Sequence, residues 1–376
     1  MRISTQARPD TDPSGEFVRR TLEAQILQSL QELMSVEICD PDTQADRALP
    51  EDIELEVENL IAGNSSTLRV MWKRKLGQHR LWSNTRSLEV DCGPVFQGAG
   101  FQKLAFDSVE ALRSQARKIW ARPDPQCAAD FLCLQAAERV FRMTPGSMLE
   151  ADRLLARAYE IAPRGLYAAW RGFLRMMQVV EMHPVDFQQT ADEATDFARH
   201  AMEDEAQNSY VCALAASVLL ILEDSPHCSA QIAQDAVAIN PANPLAWDAL
   251  STAAIYNGQP DKAHSYATRA QRIGGAGVTK PWLDMACCLT SVVTHNYPLA
   301  KEYARSSHIL CPDFRPPLRY LLALAAHEGD QREGERFYDK LRVQEPNFCF
   351  ERLVKDRDYP MAAFRKSGLS LDPRFF

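Results

Sequence analysis

The sequence predicts a mainly α-helical protein, with a small α+β sheet domain followed by an all-α superhelix of stacked helix pairs. Three observations lead there. From Leu132 to about Asn347 a pattern of large and small residues recurs at a period of about 34 residues, the mark of a helical solenoid. Ahead of it, Ile53-Glu-Leu-Glu-Val57-Glu alternates apolar and acidic residues, as a strand with one buried face does. The length of 376 residues suits a stacked array plus one compact domain.

Residues 1–122 lack the repeat and read as the sheet domain. Met1 to Glu16 is polar and proline-bearing, with no signal-peptide core. Phe17 to Met34 then places Leu22, Ile26, Leu27, Leu30 and Leu33 at helical spacing, one buried face. A strand is expected at Val36 to Cys39. In the next strand Ile53, Leu55 and Val57 face a core and Glu54, Glu56 and Glu58 face water. Its partner, Leu68-Arg-Val-Met-Trp72-Lys-Arg-Lys, turns Leu68, Val70 and Trp72 inward, and Gly63-Asn64-Ser65-Ser66 supplies the turn. A four-residue loop sets Val57 opposite Trp72, Glu56 opposite Lys73 and Glu54 opposite Lys75. A third strand is expected from about Arg80 to Val90. Phe106 to Trp120 returns as a helix capped by Asp107 or Ser108.

The array occupies residues 123–349, and 350–376 read as a polar capping segment. Its clearest unit runs Pro244-Leu-Ala-Trp247-Asp-Ala-Leu250, turns at Gly258, and returns through Ala263, Tyr266, Ala267 and Ala270. Trp247 and Leu250 of the first helix are expected to pack over those alanines. Sliding this template gives about six helix pairs, and one of them carries roughly ten extra residues around Glu181 to Gln189. Pro163, Pro241, Pro312 and Pro346 stop the second helix of their units, because proline lacks an N–H and clashes with the preceding turn.

These units resemble tetratricopeptide (TPR) repeats. The segments Leu55-Glu-Val-Glu-Asn, Leu68-Arg-Val-Met-Trp-Lys-Arg-Lys-Leu-Gly and His79-Arg-Leu-Trp82-Ser resemble the TolB-amino-terminal-like α/β domain. The closing run Ala362-Ala-Phe-Arg-Lys-Ser-Gly368-Leu369 is similar to the end of the arrays that follow that domain. The pair resembles the sensory region of CadC-type winged-helix transcription regulators and of some class III adenylate cyclases. It implies a bacterial regulatory protein, and in those proteins a winged-helix or cyclase domain precedes the pair. Two expectations follow, a stand-alone relative that works by binding a protein partner, or the sensory portion of a longer regulator, with the α/β domain as a small-molecule sensor that repositions the array.

No signature of catalysis is present: no P-loop, no GxGxxG after a strand, no HExxH, no GxSxG and no paired cyclase aspartates. A non-catalytic protein without a cofactor is expected. The net charge of −8 argues against non-specific nucleic-acid binding. No run of roughly 18 apolar residues marks a membrane span, so a cytoplasmic chain is expected. The ten cysteines are scattered and read as reduced thiols. Cys287, Cys288, His308 and Cys311 could be drawn as a metal site, but small apolar core positions are the stronger reading. The basic stretch Arg69, Lys73, Arg74, Lys75, Arg80 and Arg86, with Trp72 and Trp82 interleaved, is better explained by solvated sheet faces than by a nucleic-acid reader.

Function is best sought on the concave face, where the first helices of the pairs put mainly apolar side chains. Tyr167, Trp170, Leu174, Met177, Leu214, Val218, Ile221, Trp282 and Met285 form the expected partner-binding groove, and Asp248, Thr252, Ile255 and Leu289 continue it. An exposed apolar groove of this kind grips an amphipathic helix or peptide of a protein partner, with self-association the second expectation. The competing reading is that a tightly wound superhelix, or the α/β domain folding back, buries these residues.

Overall fold

The computed structural model describes residues 2–6, 13–39, 49, 51–62, 65–89, 95–119, 124–372 and 375. The predicted turn residues Gly63 and Asn64, the strand end Val90, the helix end Trp120 and the 122/123 boundary lie outside them.

Five strands form one sheet: β1 (Arg2–Gln6), β2 (Glu37–Cys39), β3 (Ile53–Ala62), β4 (Ser65–Arg74) and β5 (Arg80–Glu89), in the order β2-β1-β3-β4-β5. Helix α1 (Pro13–Leu33) crosses over between β1 and β2, which run parallel, while β3, β4 and β5 form an antiparallel meander. With α2 (Ala99–Ile119), α1 packs on the sheet. Ile53, Leu55, Val57, Leu68, Val70 and Trp72 all lie in the core, as their alternation requires. Trp72 is anchored by its indole Nε1, which donates to the Ser108 carbonyl of α2 at 2.9 Å.

Two expectations are corrected. Leu55, not Val57, stands opposite Trp72, because β4 begins at Ser65 and the hairpin loop is shorter than expected. The slip is two residues, one full side-chain period, so the inward set is unchanged. The acidic face is not open to water: Glu54 is buried and accepts from Gln78, and Glu56 is fully buried and pairs diagonally with Lys73. Helix α2 also starts well before Phe106, led in by a 3-10 turn at Val95–Gln97. Ser108 is therefore mid-helix, bonded back to the Leu104 carbonyl at 2.8 Å rather than capping an end.

Six helix pairs follow. They are α3 (Pro125–Val140) with α4 (Pro145–Ile161), α5 (Gly165–Val180) with α6 (Phe187–Glu205), and α7 (Ser209–Glu223) with α8 (Pro226–Ile239). Then come α9 (Pro244–Tyr256) with α10 (Pro260–Gly274), α11 (Lys280–Val293) with α12 (Tyr297–Leu310), and α13 (Arg315–Glu328) with α14 (Gln331–Gln344). Pro163, Pro241, Pro312 and Pro346 each fall just past the end of α4, α8, α12 and α14. Gly258 and Gly329 turn between paired helices at φ of +68° and +72°, a conformation L side chains resist. Ala263, Ala267 and Ala270 are fully buried, and Ala270 shares a cluster with Trp247 and Leu250. Two short helices, α15 (Phe350–Lys355) and α16 (Ala362–Lys366), end the chain, and α16 packs on α9 and α11. The fold is thus a small α+β sheet unit followed by a TPR-type superhelix.

The superhelix closes on itself. The last carbonyls of an α-helix have no partner within it and carry the negative end of the helix dipole. At the end of α5 they meet α13: Arg319 Nη1 donates to Val180 O at 3.0 Å, and Arg315 Nη1 donates to Glu181 O and to Met182 O, the latter at 3.1 Å. Arg319 is fully buried and paired with Glu345, its Nε lying 2.8 Å from Oε1. Tyr359 donates to Glu345 Oε2 at 2.9 Å, which ties in the C-terminal segment.

The sheet unit docks along the opposite rim. Asp130 of α3 accepts from the Ser35 backbone N at 2.6 Å, the Tyr167 hydroxyl at 2.6 Å and Arg164 at 3.0 Å. Glu32 of α1 accepts from Ser209 Oγ at 2.5 Å and Asn240 Nδ2 at 2.9 Å. Its buried carboxyl titrates above the usual range because desolvation outweighs these hydrogen bonds.

Replacing Arg319 leaves Glu345 buried without its cation. Arg319→Met is expected to cost roughly 3–5 kcal/mol, read by denaturant unfolding, with exposed Arg357→Met as a control within about 0.5 kcal/mol of wild type.

Candidate functional site: an internal cavity

Closure leaves a cavity of about 720 Å³ within the superhelix, partly open to solvent. Helical spacing builds its walls: Asp248, Thr252 and Ile255 lie on one face of α9, and Trp282, Met285 and Leu289 on one face of α11. Met176 and Val179 of α5 and Ser217, Ile221 and Leu222 of α7 form the next wall. The α5–α6 connection and the start of α6 add His183, Val185 and Phe187, and Phe314, Tyr320, Pro360, Ala362 and Ala363 form the wall on the C-terminal side.

An aromatic cluster floors it. Trp282 stacks on Phe314 at 5.9 Å and meets Phe173 edge-on at 5.5 Å; Trp170 sits edge-on to Phe141 and Phe173. These rings come from α3, α5, α11 and the turn before α13, so the cluster joins both ends of the array. The Trp282 indole points its Nε1 at Asp248 Oδ2, 2.6 Å away.

Asp248 is the polar centre of the wall. Burial pushes its carboxyl up to about 7, opposed by the indole hydrogen bond and by no basic side chain. Burial, helped by Arg315, pushes His183 down to about 4, so its ring is neutral at physiological pH. Glu181, at the closure, is raised by burial to about 7 although Arg319 pulls it down.

Of the nine residues expected along an open groove, six lie in the core and three line the cavity. Tyr167, Trp170, Leu174, Met177, Leu214 and Val218 are between 0% and 4% exposed. Their groove is filled by packing between α3, α5, α7 and α9 and by the docked sheet unit. Ile221, Trp282 and Met285 face the cavity. The groove reading passed over His183, Phe314, Tyr320 and the C-terminal wall. The extra residues at Glu181 to Gln189 were the available signal, since an insertion between paired helices must go somewhere. Asp248 was visible as the one carboxylate among the concave positions.

The other candidates separate. Cys287 and Cys288 are buried, and burial pushes the Cys287 thiol up to about 12. His308 contacts Lys340 at 3.2 Å, and the described residues hold no His/Cys/Asp/Glu group suited to a metal. In the basic stretch Lys73 pairs with Glu56 and Arg69 lies 3.5 Å from Glu58, with Trp72 interior. No helix among the described residues is long and apolar enough to cross a membrane.

No protein-family model and no curated protein matches this chain. Solved structures of TPR-repeat proteins do resemble it. Pseudomonas aeruginosa PilF aligns over 59% of this chain and 93% of its own, with 17% identity and a TM-score of 0.37. A chain of the APC/C Cut9–Hcn1 hetero-tetramer aligns over 72% of this chain and 49% of its own, so this chain spans about half of it, with 13% identity and a TM-score of 0.45. A monomeric IFIT1 mutant determined with Gppp-AAAA aligns over 73% of this chain and 68% of its own, again with 13% identity and a TM-score of 0.45.

Two outcomes test this geometry. Trp170→Ala is expected to destabilise the fold by roughly 3–5 kcal/mol, as for a buried indole, when followed by calorimetry; an indole on an open surface would leave stability nearly unchanged. For Asp248 the folded pKa of about 7 lies above the ordinary carboxyl value of 3.8, so between these the folded state holds a proton that the unfolded chain has lost. Stability conferred by that proton is complete below the lower value and is lost as pH rises through the upper one. Measured from pH 4 to 8, wild type is expected to lose at least about 1 kcal/mol relative to D248N, a comparison that cancels the contributions of Glu181 and His183.

Proposed function

We propose that this protein is a non-catalytic regulatory module that binds an apolar small molecule in the cavity within its helical array and reports occupancy to a protein partner. The cavity is the observation that supports this reading. At about 720 Å³ it falls in the size range of small-molecule sites, roughly 300–1,000 Å³, which are mostly apolar with a few placed polar groups.

The likeness of the sequence to the sensory region of signal-responsive bacterial regulators fits this role, with 1–122 as the TolB-like unit, 123–349 as the array and 350–376 as the closing segment. Transcription regulation in the cytoplasm is the setting we infer. A partner helix or peptide would find the former groove positions already packed. We therefore assign partner contact to the outer surface and ligand contact to the cavity.

A screen of apolar metabolites by thermal shift tests the reading. A ligand at about 100 times its Kd stabilises the fold by about 2.7 kcal/mol, and Ile221→Trp, which fills the cavity, is expected to abolish that response. A flat response across a broad library, or shifts that survive the filled variant, would remove the cavity as the site.

A further inference from the structure

The sheet ends in an open strand. β5 is 10 residues long and stands last in the order β2-β1-β3-β4-β5, with no strand beyond it among the described residues. Which of its backbone groups are free follows from its neighbour. Lys75 N donates to Asp52 O on the β3 side at 2.9 Å, and Arg74 N donates to His79 O on the β5 side at 2.9 Å. Carried along β4, that alternation turns Trp72, Val70, Leu68 and Ser66 toward Trp82, Asn84, Arg86 and Leu88. Ser83, Thr85 and Ser87 therefore point their N–H and C=O groups away from the sheet, and Thr85 and Ser87 are exposed. At the start of the edge the Leu81 carbonyl is covered, accepting from Gln115 Nε2 at 3.1 Å. Proline, lysine and bulges, which guard many edges, are absent from 82–89, and the register shift of this ladder lies between Trp72 and Lys73.

We infer that this edge pairs with the same edge of a second copy of the chain, antiparallel about a twofold axis at Thr85. The strand's own sequence chooses the occupant and the register. Only an axis at Thr85 pairs the three free residues with one another: Thr85 meets Thr85, and Ser83 meets Ser87 on either side. These pairs exchange about six hydrogen bonds. On the helix side Trp82 then stands opposite Leu88, two apolar side chains that a single copy leaves half-buried, and apolar cross-strand pairs stabilise a ladder. Arg86 meets Asn84, and its guanidinium lies beside Gly100 at the start of α2. An axis at Asn84 draws in Leu81, whose carbonyl is taken, and one at Arg86 sets two arginines face to face. The contact lies apart from the cavity and is independent of the ligand reading.

Sedimentation velocity on the whole protein, over an about hundredfold range of concentration, tests this. Wild type is expected to pass from monomer to dimer as concentration rises. Thr85→Pro removes no bond within one copy, since that N–H points outward and edge strands accept proline. It removes the central pair of the dimer and is expected to weaken association at least about tenfold. The register has its own check. Ser83→Lys with Ser87→Lys sets like charges opposite each other and is expected to dissociate the dimer, whereas Ser83→Lys with Ser87→Glu sets opposite charges there and is expected to restore it. Both pairs leave the backbone alone, so they decide the matter even where T85P fails to fold. A wild type that stays monomeric throughout overturns the proposal and leaves the edge to an extended segment of another protein. A dimer that survives T85P overturns it too, as do two charge pairs that behave alike.

Discussion

The end of α5 and two arginines of α13 make the contact on which the rest of the molecule depends. Three consecutive carbonyls, those of Val180, Glu181 and Met182, accept from Arg315 and Arg319. The carbonyls would otherwise be orphaned at a helix terminus, where cations are favoured. An open array would show water the apolar face that runs from Ile221 to Leu289. Closure folds that face around a partly open cavity, and the aromatic cluster around Trp282 holds it together by joining rings from the first, second, fifth and sixth pairs.

Closure also divides the inward-facing helices into two functional halves. Toward their N-terminal ends, α5, α7 and α9 begin at Asp130-bound Arg164, at Glu32-bound Ser209 and beside Asn240, all tied to the sheet unit. Toward their C-terminal ends the same helices wall the cavity with Val179, Ile221 and Ile255. One set of helices therefore touches the docked unit at one end and any cavity ligand at the other. The docking contacts are polar and buried, with Glu32 raised by desolvation, so their geometry is demanding: a misplaced partner leaves a carboxyl unsatisfied. A ligand that shifts these helices would be felt at that rim.

Much of this was legible in the residues. The period of the array, the stop prolines and the inward strand residues follow from local rules, and each reappears where the rules put it. The hairpin register did not follow, because two registers differing by two residues bury the same side chains and only loop length separates them. The start of α2 was hidden by Gly98 and Gly100, which weaken a helix signal without forbidding the helix. The groove was harder still. Trp170 and Trp282 have the same chemistry whether they face a partner or each other's neighbours, and the difference lies in a contact between α5 and α13, far apart along the chain. The insertion after Val180 carried that information as length, with no residue pattern to say what it met.

Hydrogen exchange at the Arg315 backbone amide tests closure most directly. As the first residue of α13 it has no partner within its own helix, yet its N–H donates to Glu181 Oε2 at 3.1 Å across the seam. The closed superhelix predicts a strongly protected amide that becomes fast-exchanging in Glu181→Ala while the rest of α13 keeps its protection. An amide at Arg315 that already exchanges like an unstructured one in wild type would contradict the closed array and, with it, the cavity.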